Sequence, residues 1–433
     1  MHTTSETNEG DGMDAVVSLD ELEAYRLKAR AWLAETLPRL PEGKNNWQLA
    51  QEDEMAERAR RLQRLLFDGG YAGICYPAEY GGQGLSRPFQ RAFTQESMGY
   101  QMPTSFNVPT LTILAPTILD FGTEEQKLRH LPAILKGEEL WVQFLSEPSG
   151  GSDLAGLVTT ATRDGDVFAL NGSKIWSTGA FRADYCLCLA RTDSTVPKHQ
   201  GLTMFILKIH QPGIEVQRIK MNNGTAEFCQ EYFDDVLIPV ADVLGGINDG
   251  WTVASRLLFH ERDAVGGGSP YSSGLGMGDA SKGGQRSDLE DLARATRQTA
   301  DPVVRQLLAE ARVNDRVQTQ LVERVSLGIR SGAMPGPAGS LTRLYAAVNS
   351  ERRFDIGLEI AGNAAGAWAE GDQAGSAATA YLTRQSNSLG GGSNEIQRNI
   401  ISERVLGMPR EYAADRGKPF DEVRHNRSPQ RQR

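Results

Sequence analysis

A block near the middle of the chain differs in pattern from both of its flanks. Residues 140–242 contain short apolar runs between turn signals, and Asp164-Gly165 and Asn171-Gly172 bracket one such run as hairpin turns do. Before and after this block, at 19–136 and 251–408, apolar residues recur at helical spacing. This order predicts an α+β multidomain protein with an N-terminal helical domain, a central β-barrel or sandwich domain and a C-terminal helical bundle.

The changes of pattern also predict the domain boundaries. We expect three domains, at 15–139, 140–242 and 243–411. Residues 1–14 and 412–433 are polar and rich in Gly, Asp or Arg, which predicts disordered tails. A glycine-rich stretch at 266–288 interrupts the last domain and favours a flexible surface loop, with a functional lid as the alternative.

Composition excludes several classes of protein. The net charge of −9 argues against a protein that coats nucleic acid. The sequence has no apolar run of about 18 residues, so we expect no membrane span. The polar, acidic start lacks the features of a secretory signal, which favours a cytoplasmic protein. The four cysteines include no CxxC pair, so buried free thiols are favoured over a disulfide, and no metal site is predicted.

One motif near the C-terminus combines a glycine run with a helix start. The stretch SLGGGSNEIQRNIISERVLGMPRE begins at Ser388, and Gly390–Gly392 lead directly into an amphipathic pattern. Ser393 is a predicted N-cap, and Gly407 ends the helix. A glycine run before a helix N-terminus indicates backbone pressed against a ligand, often an anion. Because glycines carry no side chain, any acid or base for chemistry at this place must come from elsewhere.

Four more stretches matter in combination with that motif. They are ICYPAEYGGQGL (74–85), SEPSGGSDLAGL (146–157), NGSKIWSTGAFRADY (171–185) and NDGW (248–251). Each alone reads as an ordinary capped turn or a buried tryptophan. Together, and in this order, the five stretches resemble the acyl-CoA dehydrogenase family, and the resemblance extends from about Leu19 to Glu411. The family has the same helix, β, helix order of domains.

The resemblance implies an FAD bound between the β-domain and the C-terminal bundle. The implied cofactor-binding residues are Gln143, Leu145, Ser146, Ser152, Trp176, Thr178, Gly362, Ser393 and Glu395. Trp176 would pack on the isoalloxazine, and Thr178 would hydrogen-bond near N5. Ser152 would also contact the pantetheine arm of an acyl-CoA substrate. Arg262 matches a family arginine near the CoA arm, with a surface salt bridge as the alternative.

The position of the catalytic base is the main departure from the common family pattern. Many members carry a glutamate before the final helix, and its place here is Gly391. A subset carries the base on the first long helix of the C-terminal domain, where Glu261 falls at the matching position. Its apolar neighbours would raise the pKa of Glu261 by desolvation, which suits a base. Gly391 retains the backbone N–H that would stabilise the thioester oxygen.

The implied activity is α,β-desaturation of an acyl-CoA to a trans-2-enoyl-CoA, with an electron-transfer flavoprotein or a similar acceptor. Neighbouring subunits complete the FAD sites in this family, which implies a homodimer or homotetramer. A hetero-oligomer is the alternative, because the segment LEIAGNAAGAW (358–368) departs from the family pattern. Arg294, Arg297 and Arg305 remain candidates for the arginine that contacts the FAD phosphates. The competing functions are a flavin oxidase or hydroxylase, and a base-deficient partner subunit of a hetero-oligomeric dehydrogenase.

Overall fold

The computed structural model describes residues 17–41, 52–265, 269–274, 285–369 and 372–423. The N-terminal part is helical, as predicted, with helices α1 (Leu19–Thr36), α2 (Glu52–Asp68), α3 (Arg87–Glu96), α4 (Ala115–Phe121) and α5 (Glu124–Lys136). Capping boxes at Ser18 and Thr123 start α1 and α5 by satisfying backbone N–H groups of the first turn. The predicted disordered tail at 1–14 lies outside the described residues.

The middle part is one mixed sheet. Its strands are β1 (Trp141–Phe144), β2 (Thr160–Asp164), β3 (Val167–Thr178), β4 (Tyr185–Arg191), β5 (Leu202–Lys208), β6 (Ile214–Ile219), β7 (Phe228–Pro239) and β8 (Val243–Leu244). The order across the sheet is β6-β7-β3-β2-β4-β5-β8, and β1 pairs in parallel with β4. The apolar strands β4 and β5 are buried almost throughout, so the sheet carries the centre of the core.

The C-terminal part is again helical. Its helices are α6 (Gly250–Val265), α7 (Gln285–Ala295), α8 (Pro302–Arg330), α9 (Gly339–Ala361), α10 (Gln373–Leu382) and α11 (Asn394–Ile400). Helix α6 belongs to the large core that the N-terminal helices and the sheet share, through Val253, Ala254 and Leu257. Helices α7, α8 and α9 enclose a separate smaller core. Helix α6 therefore lies at the junction of the three parts, which places its side chains between them.

The described ranges can be compared with the sequence for membrane spans, metal sites and cysteines. None of the helices described is long and apolar enough to cross a membrane. Over the same ranges, no group of three or more His, Cys, Asp or Glu is arranged to hold a metal ion. All four cysteines are buried and free, as the sequence predicts.

Part of the glycine-rich stretch at 266–288 is packed rather than loose. At 269–274, Tyr271 and Ser273 are buried against the N-terminal helices. The Ser273 N–H donates to Asn107 Oδ1 at 2.7 Å, and Thr94 Oγ1 donates to the carbonyl oxygen of Gly274 at 3.1 Å. The prediction of a flexible surface loop is therefore wrong for 269–274, because one tyrosine and a set of backbone hydrogen bonds outweigh the glycine-rich composition. Residues 266–268 and 275–284 lie outside the described ranges.

The segment 415–423 packs on the β-domain, so the prediction of a disordered tail is wrong for these residues. Phe420 is 2% exposed, and the Arg191 guanidinium lies 3.4 Å from its ring centroid. The N–H groups of Phe420 and Asp421 each donate at 3.0 Å to carbonyls of Val196 and Ser194. Phe420 is an aromatic residue in a polar segment, and it packs on a buried arginine that is distant in sequence. Local composition does not reveal such a contact. Residues 424–433 lie beyond the described part.

We expect Phe420→Leu to lower the free energy of unfolding by about 2 kcal/mol, because leucine retains apolar bulk but removes the cation–π contact with a desolvated arginine. Tyr412→Leu is the matched control, since that aromatic residue just before the segment is 91% exposed and should change little. Denaturant titration of the two variants measures the difference. Equal losses for both would show that the segment does not hold Arg191.

Candidate active site

The first wall of the site forms where the chain after β1 runs beside β3. The Ile175 N–H donates to the carbonyl oxygen of Ser146 at 2.9 Å, and Lys174 Nζ donates to the carbonyl oxygen of Leu145 at 3.0 Å. The first is a backbone bond between β3 and the chain that follows β1, and the second ties the Lys174 side chain to the same segment. Leu145 and Ser146 therefore lie next to the last residues of β3, the strand that also carries Trp176 and Thr178.

Trp176 has an unusual conformation on this wall. Its φ is 68°, in the left-handed region that a bulky residue rarely adopts. The residue is 52% exposed, and the Phe228 ring lies edge-on to its indole, 5.9 Å away between centroids. Local strain at an exposed large aromatic residue is typical of a binding surface. The next outward-facing residue of the strand, Thr178, is also exposed.

A buried ion pair holds the turn that follows the wall. Lys174 Nζ lies 2.9 Å from Glu147 Oε1, and both side chains are almost fully buried. The carboxylate also accepts from the N–H groups of Val158 at 2.7 Å and Thr159 at 3.0 Å. Burial pushes the pKa of Glu147 upward, but the Lys174 ammonium and these donors outweigh it and leave the pKa below its ordinary value. The turn between Glu147 and Val158 carries Ser152, whose side chain is exposed.

Glu261 extends from α6 toward β1. Gln143 Nε2 donates to Glu261 Oε2 at 3.3 Å, which ties the helix to the strand that forms the wall. Desolvation by burial raises the pKa of Glu261, while Gln143, the charges of Arg262 and Arg343, and the Gly391 backbone N–H oppose the rise. A carboxyl group with a raised pKa, held in place by a neutral donor, has the properties of a general base.

The glycine turn lies directly beside Glu261. Gly391 has a φ of +71°, and a Cβ placed on it would lie 3.6 Å from Glu261 Oε1 and 3.1 Å from Arg343 Nε. A side chain at position 391 would therefore begin in the space that the Glu261 carboxylate borders. Glu261 and Gly391 are 130 residues apart in sequence, yet both border one small volume. Glu261 contributes a carboxylate to it, and Gly391 contributes a backbone N–H.

The start of α11 fixes the shape of this turn. Ser393 caps the helix, as predicted, and its side chain accepts from the Ile396 N–H at 3.3 Å. Gln397 Nε2 reaches back to the carbonyl oxygens of Gly391 at 3.0 Å and Gly392 at 3.2 Å. With both carbonyls turned toward Gln397, the turn has one defined orientation. The sequence did not single out Gln397, because a helix glutamine is usually a surface residue.

Other predicted site residues lie at varied distances from this centre. Arg262 is partly buried next to Glu261, and burial lowers its pKa while Glu261 opposes the change. Glu395 has a 76% exposed side chain that pairs with Arg398 at 3.6 Å. Gly362 follows the last residue of α9 and is exposed. Both positions are therefore exposed in the single chain, and their cofactor roles stay predictions.

Sequence reasoning missed Arg343 and the Lys174–Glu147 pair. Arg343 lies on α9, far along the chain from both Glu261 and Gly391, and its helix has no pattern that distinguishes it from a surface arginine. Lys174 and Glu147 fall within the two motifs that carried the family resemblance, so a search for opposite charges within those motifs could have found them.

Models of three protein-family domains match this chain over most of its length. The model of the acyl-CoA dehydrogenase N-terminal domain matches residues 20–138, the middle domain matches 143–236 and the C-terminal domain matches 248–406. The chain is 34% identical over 397 residues to acyl-CoA dehydrogenase IpdE1 of Mycobacterium tuberculosis (strain ATCC 25618 / H37Rv), covering 91% of this chain and 99% of that protein.

Two solved structures are similar in both fold and sequence. The Tcur3481-Tcur3483 steroid ACAD aligns with a TM-score of 0.73 at 29% identity, covering 91% of this chain and 99% of that one. The ChsE4-ChsE5 complex from Mycobacterium tuberculosis aligns with a TM-score of 0.69 at 27% identity, covering 92% of this chain and 100% of that one.

Proposed function

The chain belongs to the acyl-CoA dehydrogenase family of flavoprotein oxidoreductases, and we propose that it desaturates an acyl-CoA thioester to the trans-2-enoyl-CoA. The substrate loses its α-proton to Glu261 and its β-hydrogen as hydride. FAD held by Trp176, Thr178 and Ser146 would supply the acceptor for that hydride. The observation that carries the proposal is the position of Glu261 Oε1, which lies 3.6 Å from a Cβ built on Gly391. Many family members carry the base at the position of Gly391, and here the carboxylate of Glu261 on α6 lies beside that position.

The residues of the wall fit a flavin. Trp176 offers a half-exposed indole in a strained conformation, which suits stacking on a planar ring system. Thr178 and Ser146 lie on the same wall and supply hydroxyl groups for a heterocycle edge. Trp176 and Thr178 belong to β3, and Ser146 is tied to that strand by its carbonyl oxygen, so these groups are held in place before a ligand binds.

The residues around Gly391 suit proton abstraction next to a thioester carbonyl. The α-proton becomes acidic enough to remove only when the carbonyl oxygen is stabilised as negative charge develops. The Gly391 N–H is the proposed donor to that oxygen, and it already points toward the Glu261 carboxylate. In this arrangement the Gly391 N–H would reach the carbonyl oxygen of the thioester, and Glu261 would reach the proton on the neighbouring α-carbon. Gln143 orients the carboxylate through its 3.3 Å hydrogen bond.

We also propose a steroid-derived acyl group as the substrate and a hetero-oligomer as the assembly. Two similar structures carry two-protein names, and one of them is named as a steroid ACAD. Position 391 carries no side chain, which leaves room for a bulky acyl group. An electron-transfer flavoprotein or a similar acceptor would receive the electrons.

The test is anaerobic reduction of the flavin. The purified chain is saturated with FAD and mixed with straight-chain, branched and steroid-side-chain acyl-CoAs while the visible absorbance of the oxidised flavin is followed. We expect uptake of FAD and bleaching by the steroid thioester, with enoyl-CoA formed in equal amount. A chain that binds no FAD, alone or with a partner, contradicts the proposal.

The same experiment separates the alternatives. An oxidase or hydroxylase would be reoxidised rapidly when dioxygen is admitted, with peroxide or a hydroxylated product. A partner subunit that lacks a base would bleach only after a second chain is added, and Glu261→Gln would then have no effect. Light scattering on the FAD-loaded sample distinguishes a homodimer or homotetramer from a chain that needs a different partner.

A further inference from the structure

Arg343 connects α9 to the glycine turn. Its Nη2 donates to the carbonyl oxygen of Asn387 at 2.7 Å and to the carbonyl oxygen of Gly390. Both carbonyls precede Gly391, so the guanidinium holds the chain on the N-terminal side of the turn. Gln397 holds the carbonyls of the turn itself from the other side. The orientation of the Gly391 N–H therefore depends on two side chains from two helices.

The other edge of the same guanidinium borders the Glu261 space. Arg343 Nε is buried and has no hydrogen-bond partner within the described residues. It would lie 3.1 Å from a Cβ on Gly391, and Glu261 Oε1 would lie 3.6 Å from the same atom. A cation and a carboxylate thus border one small volume from opposite helices. Since a guanidinium stays protonated in proteins, this positive charge is permanent.

We propose that Arg343 is a positioning residue for the Glu261–Gly391 pair: it holds the turn through two carbonyls and favours the ionised form of Glu261 through its charge. This inference rests on the proposed function only in naming Glu261 as the base. Neither part requires contact between Arg343 and the substrate.

The electrostatic part follows from what surrounds Glu261. Burial disfavours the carboxylate, and the charged groups that oppose it are Arg262 on the same helix and Arg343 on α9. Gln143 and the Gly391 N–H add neutral donors from β1 and the turn. Arg262 is itself faced by Arg404. Because a nearby opposite charge favours the ionised carboxyl group, and Arg343 borders the same small volume as Glu261, loss of Arg343 should raise the Glu261 midpoint.

Infrared titration of the FAD-loaded protein tests this directly. The carboxyl C=O band of Glu261 is identified by its absence in Glu261→Gln, and its loss with rising pH gives the midpoint. We expect Arg343→Gln to raise the midpoint by about one pH unit or more. Arg343→Lys keeps the positive charge, so its midpoint should lie close to that of the wild type. Arg384→Gln is the matched control, because that arginine lies next to the same turn but pairs with Asp355 at 3.2 Å.

A wild-type measurement covers the case in which Arg343→Gln does not fold. With ¹⁵N-labelled arginine, the Arg343 Nε resonance should move at the Glu261 midpoint and stay constant in Glu261→Gln. Two results would overturn the inference. One is an unchanged midpoint in folded Arg343→Gln, and the other is an Nε resonance that does not move at the Glu261 midpoint. Neither measurement uses turnover, so a chain that shows the coupling but never reduces its flavin would contradict the proposed function alone.

Discussion

Replacement of Glu261 by glutamine is expected to slow acyl-CoA-dependent flavin reduction by about 10⁴-fold, the upper end of what a general base typically contributes. Glutamine keeps the size of the side chain and can still accept the hydrogen bond from Gln143, but it cannot take the α-proton. FAD and acyl-CoA should therefore still bind. Stopped-flow measurement of flavin absorbance gives the rate, and equilibrium titration with each ligand gives the binding.

Asp263→Asn is the control for this prediction. Asp263 lies two residues further along α6, and burial also raises its pKa, but the main opposing charge is Arg87 at the start of α3. Removing this acid should change the rate of flavin reduction by less than about tenfold, because general-base catalysis is not lost. If the two variants are slowed alike, or if Glu261→Gln reduces its flavin at the wild-type rate, Glu261 is not the base.

The second large effect is expected at the buried ion pair under the wall. Lys174→Met should lower the free energy of unfolding by about 3–5 kcal/mol, because it leaves the Glu147 carboxylate buried without its cation. The same change removes the donor to the Leu145 carbonyl, so the chain around Ser146 should loosen as well. Denaturant unfolding measures the first effect, and weaker FAD binding reports the second.

Lys198→Met is the comparison for Lys174→Met. Lys198 pairs with Asp153 at 2.9 Å and with Asp415 at 2.6 Å, but its partners reach solvent. Exposed pairs typically contribute about 0–1 kcal/mol, so this variant should be close to wild type in stability. A Lys174→Met protein as stable as Lys198→Met would mean that Glu147 can lose its charge at little cost. Pairing Lys174→Met with Glu147→Leu should then recover nothing, whereas recovery is expected if the uncompensated charge is the cause.

The parts of the fold that depend on local pattern were predictable from the sequence. The helix cap at Ser393 and the hairpin turn at Asp164-Gly165 follow from nearest-neighbour chemistry, and both are present. The turn predicted at Asn171-Gly172 is wrong, because β3 continues through these residues to Thr178, with an irregularity in its pairing to β7 between Leu170 and Gly172. The placement of Glu261 opposite Gly391 came from the family resemblance. Both residues border one small volume beside Arg343 of α9, and their roles in the reaction stay predictions.

What could not be predicted depends on contacts between distant residues. Arg343 acquires its significance only when α9 packs beside the glycine turn. Tyr271 is buried because N-terminal helices provide a place for it, although glycines surround it in sequence. Phe420 is the clearest case, since a polar segment with one aromatic residue reads as a tail until the arginine beneath it is known. In each case a single side chain and its distant partner outweigh the composition of the whole segment.

The dependence of Arg191 on Phe420 has a consequence for biosynthesis. Arg191 leaves the ribosome with the sheet, whereas Phe420 is translated more than 200 residues later. Because domains fold as they emerge, we expect the β-domain to assemble its strands early and to leave the face of Arg191 that Phe420 covers exposed until Phe420 has been translated. A premature stop codon between Glu411 and Phe420 would leave every proposed site residue in place but would remove the ring that covers this guanidinium.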